Sequence, residues 1–170
     1  MGRGATKAAG NVWYEARIAA AKWNQRLNSR EGAAEELGVS TDAVNSVERG
    51  LYKCMPVDLA VIMADVYNAP HLLNHYCLNE CPIGCHQALS DEVVDIGRVT
   101  VKLLKSLRVD ELEEIKDKLV DIAEDGKITE DEKPDLKEIL DYLDGLAKTV
   151  SELRIIGEKA FREGRLHEPR

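Results

Sequence analysis

Three groups of residues in this 170-residue chain have types and spacing suited to chemistry. The first is Thr41, Asp42, Asn45, Ser46 and Arg49, short polar side chains and one cation recurring at helical spacing. Hydroxyl, amide and guanidinium groups on one helix face match the donor and acceptor edges that base pairs present in a major groove. Asp42 can accept from a cytosine amino group. The second group is Cys77, Cys81 and Cys85, four apart, with His86 adjacent and His71, His75 and Cys54 as further candidates. Three thiolates and an imidazole could complete a tetrahedral zinc site that staples an irregular segment. Yet C-x3-C-x3-C-H is neither a standard finger spacing nor an iron–sulfur one, and inert reduced thiols or a redox-sensing thiol explain the same residues. The third, Asp121 to Glu132, mimics a calcium loop with Asp125, Gly126, Ile128 and Glu132 in place. Ala123 leaves that loop short of a ligand, and a glycine-ended turn between helices accounts for it. No glycine-rich phosphate loop or nucleophile elbow occurs, and the carboxylates recur among lysines as on a solvated helix face, so no enzyme is expected.

The elements that must position the first group are helices. Aromatic residues make up only 5% of the chain, β-branched residues do not cluster, and Ala, Leu, Glu, Lys and Asp dominate, which predicts an all-α protein. Trp13, Ala16, Ala20, Trp23 and Leu27 recur at three- and four-residue steps and predict a first helix over Trp13 to Leu27. Ser29 caps a short second helix, Glu31 to Leu37. Gly38 ends it in the left-handed conformation that only glycine takes without steric cost. Ser40 then caps a third helix, Thr41 to Glu48, and Gly50 follows it. Ala34 is small where two such helices touch, and Leu37, Val39, Val44 and Val47 fill their shared core, so residues 29–50 are expected to form a helix-turn-helix. Pro56 to Tyr67 and Pro70 to Tyr76 predict two further helices with proline in the first turn.

The stretch from Ser29 to Gly50, with Ala34, Gly38-Val39-Ser40 and Val47-Glu48-Arg49-Gly50, resembles the Cro/C1-like (Xre-like) helix-turn-helix regulators. The resemblance covers about residues 13–76, and the whole chain is similar to small regulators of phages and mobile elements in Gram-positive bacteria. It implies a five-helix lambda-repressor-like domain that binds duplex DNA, followed here by a helical hairpin with a long helix. Under it Arg30 contacts phosphate or a base, and Ser40 starts the reading helix. Thr41, Asp42 and Asn45 face bases, while Ser46, Arg49 and Lys53 hold phosphates. Such proteins pair the residue at Glu48 with an arginine of the first helix. The matching position here falls on Trp23, so either Lys22 or Arg26 substitutes as the partner or the pair is lost. Arg30 stands where the family has glutamine.

Charge is unevenly placed. Residues 1–55 carry eight Lys/Arg against six Asp/Glu, whereas residues 56–170 carry 15 against 25. The face presented to phosphates matters more than the net charge of −8. The chain reads as a helix-turn-helix domain over 11–76, a cysteine-containing junction over 77–90 and an acidic helical region over 91–165. In the last, Asp91 to Leu107 and Asp110 to Glu124 predict two amphipathic helices. Thr129-Glu-Asp-Glu132 fits a capping box ahead of a long helix reaching about residue 163. Ile139, Leu143, Leu146, Val150, Leu153, Gly157 and Ala160 alternate steps of four and three as a heptad seam, widened by Leu136, Leu140, Ile155 and Ile156. This region is expected to form a homodimer, so that two reading helices enter successive major grooves about 34 Å apart. An antitoxin-like or adaptor protein whose acidic helices bind a protein partner is the alternative. No run of about 18 apolar residues spans a membrane. Met1 to Gly10 are small and basic without an apolar core, so a flexible arm and not a secretory signal is expected, though Met1-Gly2-Arg3-Gly4-Ala5-Thr6 fits the myristoylation pattern; the expected setting is a reducing cytoplasm.

Overall fold

The computed structural model describes residues 8, 10–124 and 126–166, and the described residues form helices, turns and loops with no strand. The myristoylation pattern and Asp125 of the calcium-like loop lie outside the described residues. Helix α1 is Val12–Ala20, α2 Arg30–Leu37, α3 Thr41–Glu48, α4 Val57–Val66 and α5 His71–Asn79. Helices α6 (Ile96–Ser106), α7 (Val109–Ala123) and α8 (Lys133–Leu166) follow, and short 3-10 turns occupy Gln25–Asn28 and Gly84–His86. The chain divides into two compact units: residues to His86 together with those from Glu158, and Gln87–Gly157. The division therefore falls inside the cysteine-containing junction.

In the first unit, local capping sets the helix starts. Asn11 Oδ1 accepts from the backbone N–H of Trp13 and Tyr14, while its Nδ2 donates to the Val47 carbonyl at 3.1 Å, joining the start of α1 to the end of α3. The predicted first helix is too long. It stops at Ala20, and Asn24 starts a separate 3-10 turn by accepting from Arg26 N–H. The apolar period fails at Trp23, which is 51% exposed. Leu27 is buried from within the 3-10 turn, whose carbonyl accepts from Arg17 Nη1 at 2.7 Å. Helix α5 runs three residues past its predicted end at Tyr76. Trp13, Ala20, Leu27, Ala34, Val44, Met63 and Leu72 belong to one continuous core, in which the alanines let helices approach closely. Each fully buried large chain there, such as Leu27, Met63 or Leu72, contributes about 2 kcal/mol of transfer free energy.

The second unit is built differently. Only Val99, Ile122, Ile139 and Ile155 are its buried apolar residues among those described. Polar ties hold it instead. Ser90 N–H donates to Ser151 Oγ, Ser90 Oγ donates to Glu152 Oε1 at 3.2 Å, and Lys102 Nζ donates to both Glu152 oxygens at 2.8 and 2.9 Å. The chain from Asp91 to Asp95 is non-helical beside these bonds, and α6 starts at Asp95, whose carboxylate accepts from Arg98 N–H, rather than at the predicted Asp91. Glu132 accepts from Thr129 N–H at 2.7 Å, half of the predicted capping box, just ahead of α8.

Glu152 is almost fully buried. Truncating a buried carboxylate that accepts three hydrogen bonds is expected to cost about 1–3 kcal/mol, read as a lower urea midpoint for Glu152→Ala. Its hydrogen bond raises the pKa of Lys102 above the ordinary 10.5, against burial and with the Glu152 and Glu92 charges adding to it. A raised cation contributes stability that is complete below its unfolded pKa and lost as pH rises through the folded value. The gap between wild type and Glu152→Ala should therefore be full at pH 7 and narrow above 10.5.

Candidate nucleic-acid interface

Helices α2 and α3 are joined by Gly38-Val39-Ser40. Gly38 sits at φ +67°, Val39 N–H closes back on the Ala34 carbonyl at 3.0 Å, and Ser40 Oγ accepts from Ala43 N–H at 3.2 Å. Ser29 Oγ caps α2 through Gly32 N–H at 3.0 Å. Both helices keep their predicted ends to within one residue. Ala33, Ala34, Leu37, Val44 and Val47 turn inward, and half-buried Val39 packs against them. Ser40, Asp42, Arg49 and Lys53 are exposed, and Thr41, Asn45, Ser46 and Arg30 are half-buried.

Arg30, Asn45 and Arg49 line one open groove of about 500 Å³ together with Tyr14, Arg17, Asn28 and Glu31. Behind it lies a charge pair that organises the whole face. Glu48 is 1% exposed and Arg17 3%. Arg17 Nε donates to Glu48 Oε1 at 2.5 Å and Nη2 to Oε2 at 3.2 Å. Arg30 Nε donates to the same Oε2 at 2.7 Å. One carboxylate thus bridges two guanidinium groups, and the exposed Arg49 follows it in sequence, so the groove keeps an excess of positive charge. The Arg17 guanidinium also lies 5.4 Å from the Tyr14 ring centroid. The Tyr67 phenol is buried with its hydroxyl unpaired. Burial, then the Glu48 charge, push its pKa far above the ordinary tyrosine value, with Arg17 opposing.

The arginine partner of Glu48 corrects the sequence expectation. Neither Lys22 nor Arg26 fills that role. Arg26 pairs at the surface with Glu36 at 3.2 Å, and the partner is Arg17. Arg17 follows Trp13 and Ala16 and precedes Ala20 on the buried face of α1, so a basic residue inside an apolar stripe was the available signal. Trp23 instead lines a separate groove with Glu36, Asp65, Asn68 and Arg162, where Arg162 Nη1 donates to Asp65 Oδ1 at 2.6 Å.

The predicted metal ligands do not assemble. Among the described residues no three His, Cys, Asp or Glu side chains are placed to hold a metal ion. Cys77 and Cys81 are half-buried free thiols, and Cys54 and Cys85 are exposed ones. Cys85 Sγ donates to the Pro82 carbonyl at 3.1 Å. The backbone packs tightly here, since a Cβ on Gly84 would lie 2.2 Å from the Cys77 carbonyl oxygen. Close backbone approach of Gly84 to Cys77 is what the structure shows at this junction. His75 packs edge-on against Trp13, with ring centroids 6.2 Å apart. No helix among the described residues is long and apolar enough to cross a membrane.

Comparison with known proteins finds no matching family model, no matching curated protein and no matching solved structure.

Proposed function

We infer that the chain is a sequence-specific duplex-DNA-binding transcriptional regulator of repressor type, acting in the cytoplasm as a dimer through its C-terminal helices. The observation that carries this reading is the α2–turn–α3 pair, with Arg30, Asn45 and Arg49 gathered in one groove of excess positive charge. Arg49 and Lys53 supply exposed cations for phosphates, and Thr41, Asp42 and Asn45 lie on the same helix for base edges. Arg30 is oriented by Glu48 and so presents a fixed guanidinium edge. The chain's entire negative excess lies in Gln87–Gly157, with 19 acidic residues against 11 basic, and the remainder is balanced at 12 against 12. The reading face therefore lies outside the acidic region, with Glu31 and Asp42 as its own exposed carboxylates.

Asn45→Ala/Arg49→Ala should weaken binding to the duplex upstream of the protein's own gene. The asparagine accounts for about 1–3 kcal/mol at one base pair, and the arginine for a loss of about one unit in the slope of log affinity against log salt. Unchanged affinity and slope would remove the regulator reading. The acidic second unit, with far more exposed than buried large apolar residues, supports the second reading, an antitoxin-like or adaptor protein.

A further inference from the structure

Helix α8 carries two apolar stripes, and the single predicted seam is divided between them. Ile139, Tyr142, Leu146 and Thr149 turn inward to become buried or half-buried. Leu140 (52% exposed), Leu143 (45%), Ala147 and Val150 (38%) face solvent on the other side, preceded by half-buried Leu136. From Leu136 to Val150 the steps are four, three, four and three, the spacing a second helix requires to seat its side chains between them. The second unit is short of buried apolar surface. Thirteen of its described large apolar residues are exposed, against the four buried ones.

We propose that this outer stripe, Leu136–Leu140–Leu143–Ala147–Val150, pairs antiparallel with the same stripe of a second copy. The inference rests on the dimeric regulator reading and specifies its interface. The charges beside the stripe select the occupant and its direction. Exposed Asp141 and Asp144, with Lys137 and Glu138 offsetting each other before them, flank one half, and exposed Lys148 and Arg154 the other. A parallel pair sets Asp144 against Asp144, Lys148 against Lys148, and Arg154, which continues the heptad, against its own copy. An antiparallel crossing near Gly145 and Leu146 sets each Asp144 within two positions of the other copy's Lys148 and lays the acidic half of each stripe over the basic half of the other. It also places Leu140 opposite Val150 and Leu143 opposite Ala147, a large chain against a smaller one in each layer. A face of opposite charge at its two ends complements itself, whereas the −8 balance of Gln87–Gly157 opposes closer association over wider surfaces. The stripe spans about 21 Å at about 1.5 Å per residue, which places the contact at the low end of specific interfaces and predicts micromolar dissociation.

Sedimentation velocity of the full chain from about 1 to 200 µM tests this. Wild type should pass from monomer to dimer within the range. Leu140→Glu/Leu143→Glu should stay monomeric, its midpoint displaced at least 100-fold, with unchanged helical circular dichroism because both positions are solvent-facing. Asp144→Lys and Lys148→Asp should each weaken the dimer at least 5-fold, and the double exchange should restore it. A monomeric wild type, a Leu140→Glu/Leu143→Glu dimer, or a double exchange weaker than either single exchange would overturn the antiparallel pairing. DNA titrations separate the two readings. If the pairing is wrong but the chain is a regulator, Asn45→Ala/Arg49→Ala still weakens binding and lowers its salt slope. If the pairing holds and DNA is not bound, the charge-exchange series behaves as stated while no duplex shifts.

Discussion

Glu48→Ala should be the most damaging single truncation in the first unit, lowering the unfolding free energy by about 3–5 kcal/mol. The carboxylate is 1% exposed and accepts from Arg17 twice and from Arg30 once. Without it the Arg17 guanidinium, 3% exposed, keeps the Leu27 carbonyl but no carboxylate among the described residues, and a buried cation lacking a counter-charge is far costlier than a lost surface pair. Against a typical stability of about 5–15 kcal/mol for a whole domain, such a loss brings the variant close to unfolding at 37 °C. Urea denaturation followed by circular dichroism measures it. A companion variant separates charge burial from simple contact loss. Arg17→Met/Glu48→Leu removes both charges and keeps the volume, and should lie within about 1 kcal/mol of wild type. Arg30 loses its anchor in both variants. Under the proposed regulator reading, any folded fraction should therefore bind DNA more weakly than wild type.

What could be read from sequence follows the range of the interaction that decides each feature. The ends of α2 and α3 were legible almost to the residue because Ser29, Gly38 and Ser40 act over three or four positions. The end of α1 was not, because the Asn24 cap and the pull of Arg17 on the Leu27 carbonyl override a continuing apolar period. The start of α6 was misplaced for a similar reason. Asp91 and Asp95 are both acceptable caps, and the non-helical chain between them lies beside a bond from Ser90 to Ser151, 61 residues away. The resemblance to helix-turn-helix regulators implied an arginine partner for Glu48. Placing Arg17 beside it needed the crossing of α1 over α3; locally, only its basic side chain inside the apolar stripe of α1 marked it. On α8 the periodicity correctly marked an apolar helix but could not show which of two overlapping stripes turns inward, since both satisfy the same spacing. The cysteines illustrate the converse, a ligand-like spacing in sequence that packing does not gather.

Gly32→Ala reverses the sign that helix propensity assigns. Alanine in a helix interior is normally favoured over glycine by about 1 kcal/mol, and Gly32 lies inside α2. A Cβ there would stand 2.2 Å from the Arg26 carbonyl oxygen and 3.0 Å from its carbon. The obstacle is backbone, not the end of a flexible side chain. It cannot retreat freely either, because the 3-10 turn that carries it is bound by Arg17 at Leu27 and capped by Asn24. Overpacking of this kind costs about 1–3 kcal/mol or more, so the net expectation is a loss of about 2 kcal/mol in urea denaturation. Gly145 supplies the control within the same chain. A Cβ there meets nothing within 4 Å, and Gly145→Ala should gain about 0.5–1 kcal/mol. Equal and favourable shifts at both sites would show that the 3-10 turn does not press against α2. If they differ as expected, the strain in Gly32→Ala should also reach Ser29 and Arg30. Both lie between the 3-10 turn and Gly32, so DNA affinity should fall with stability in that variant alone.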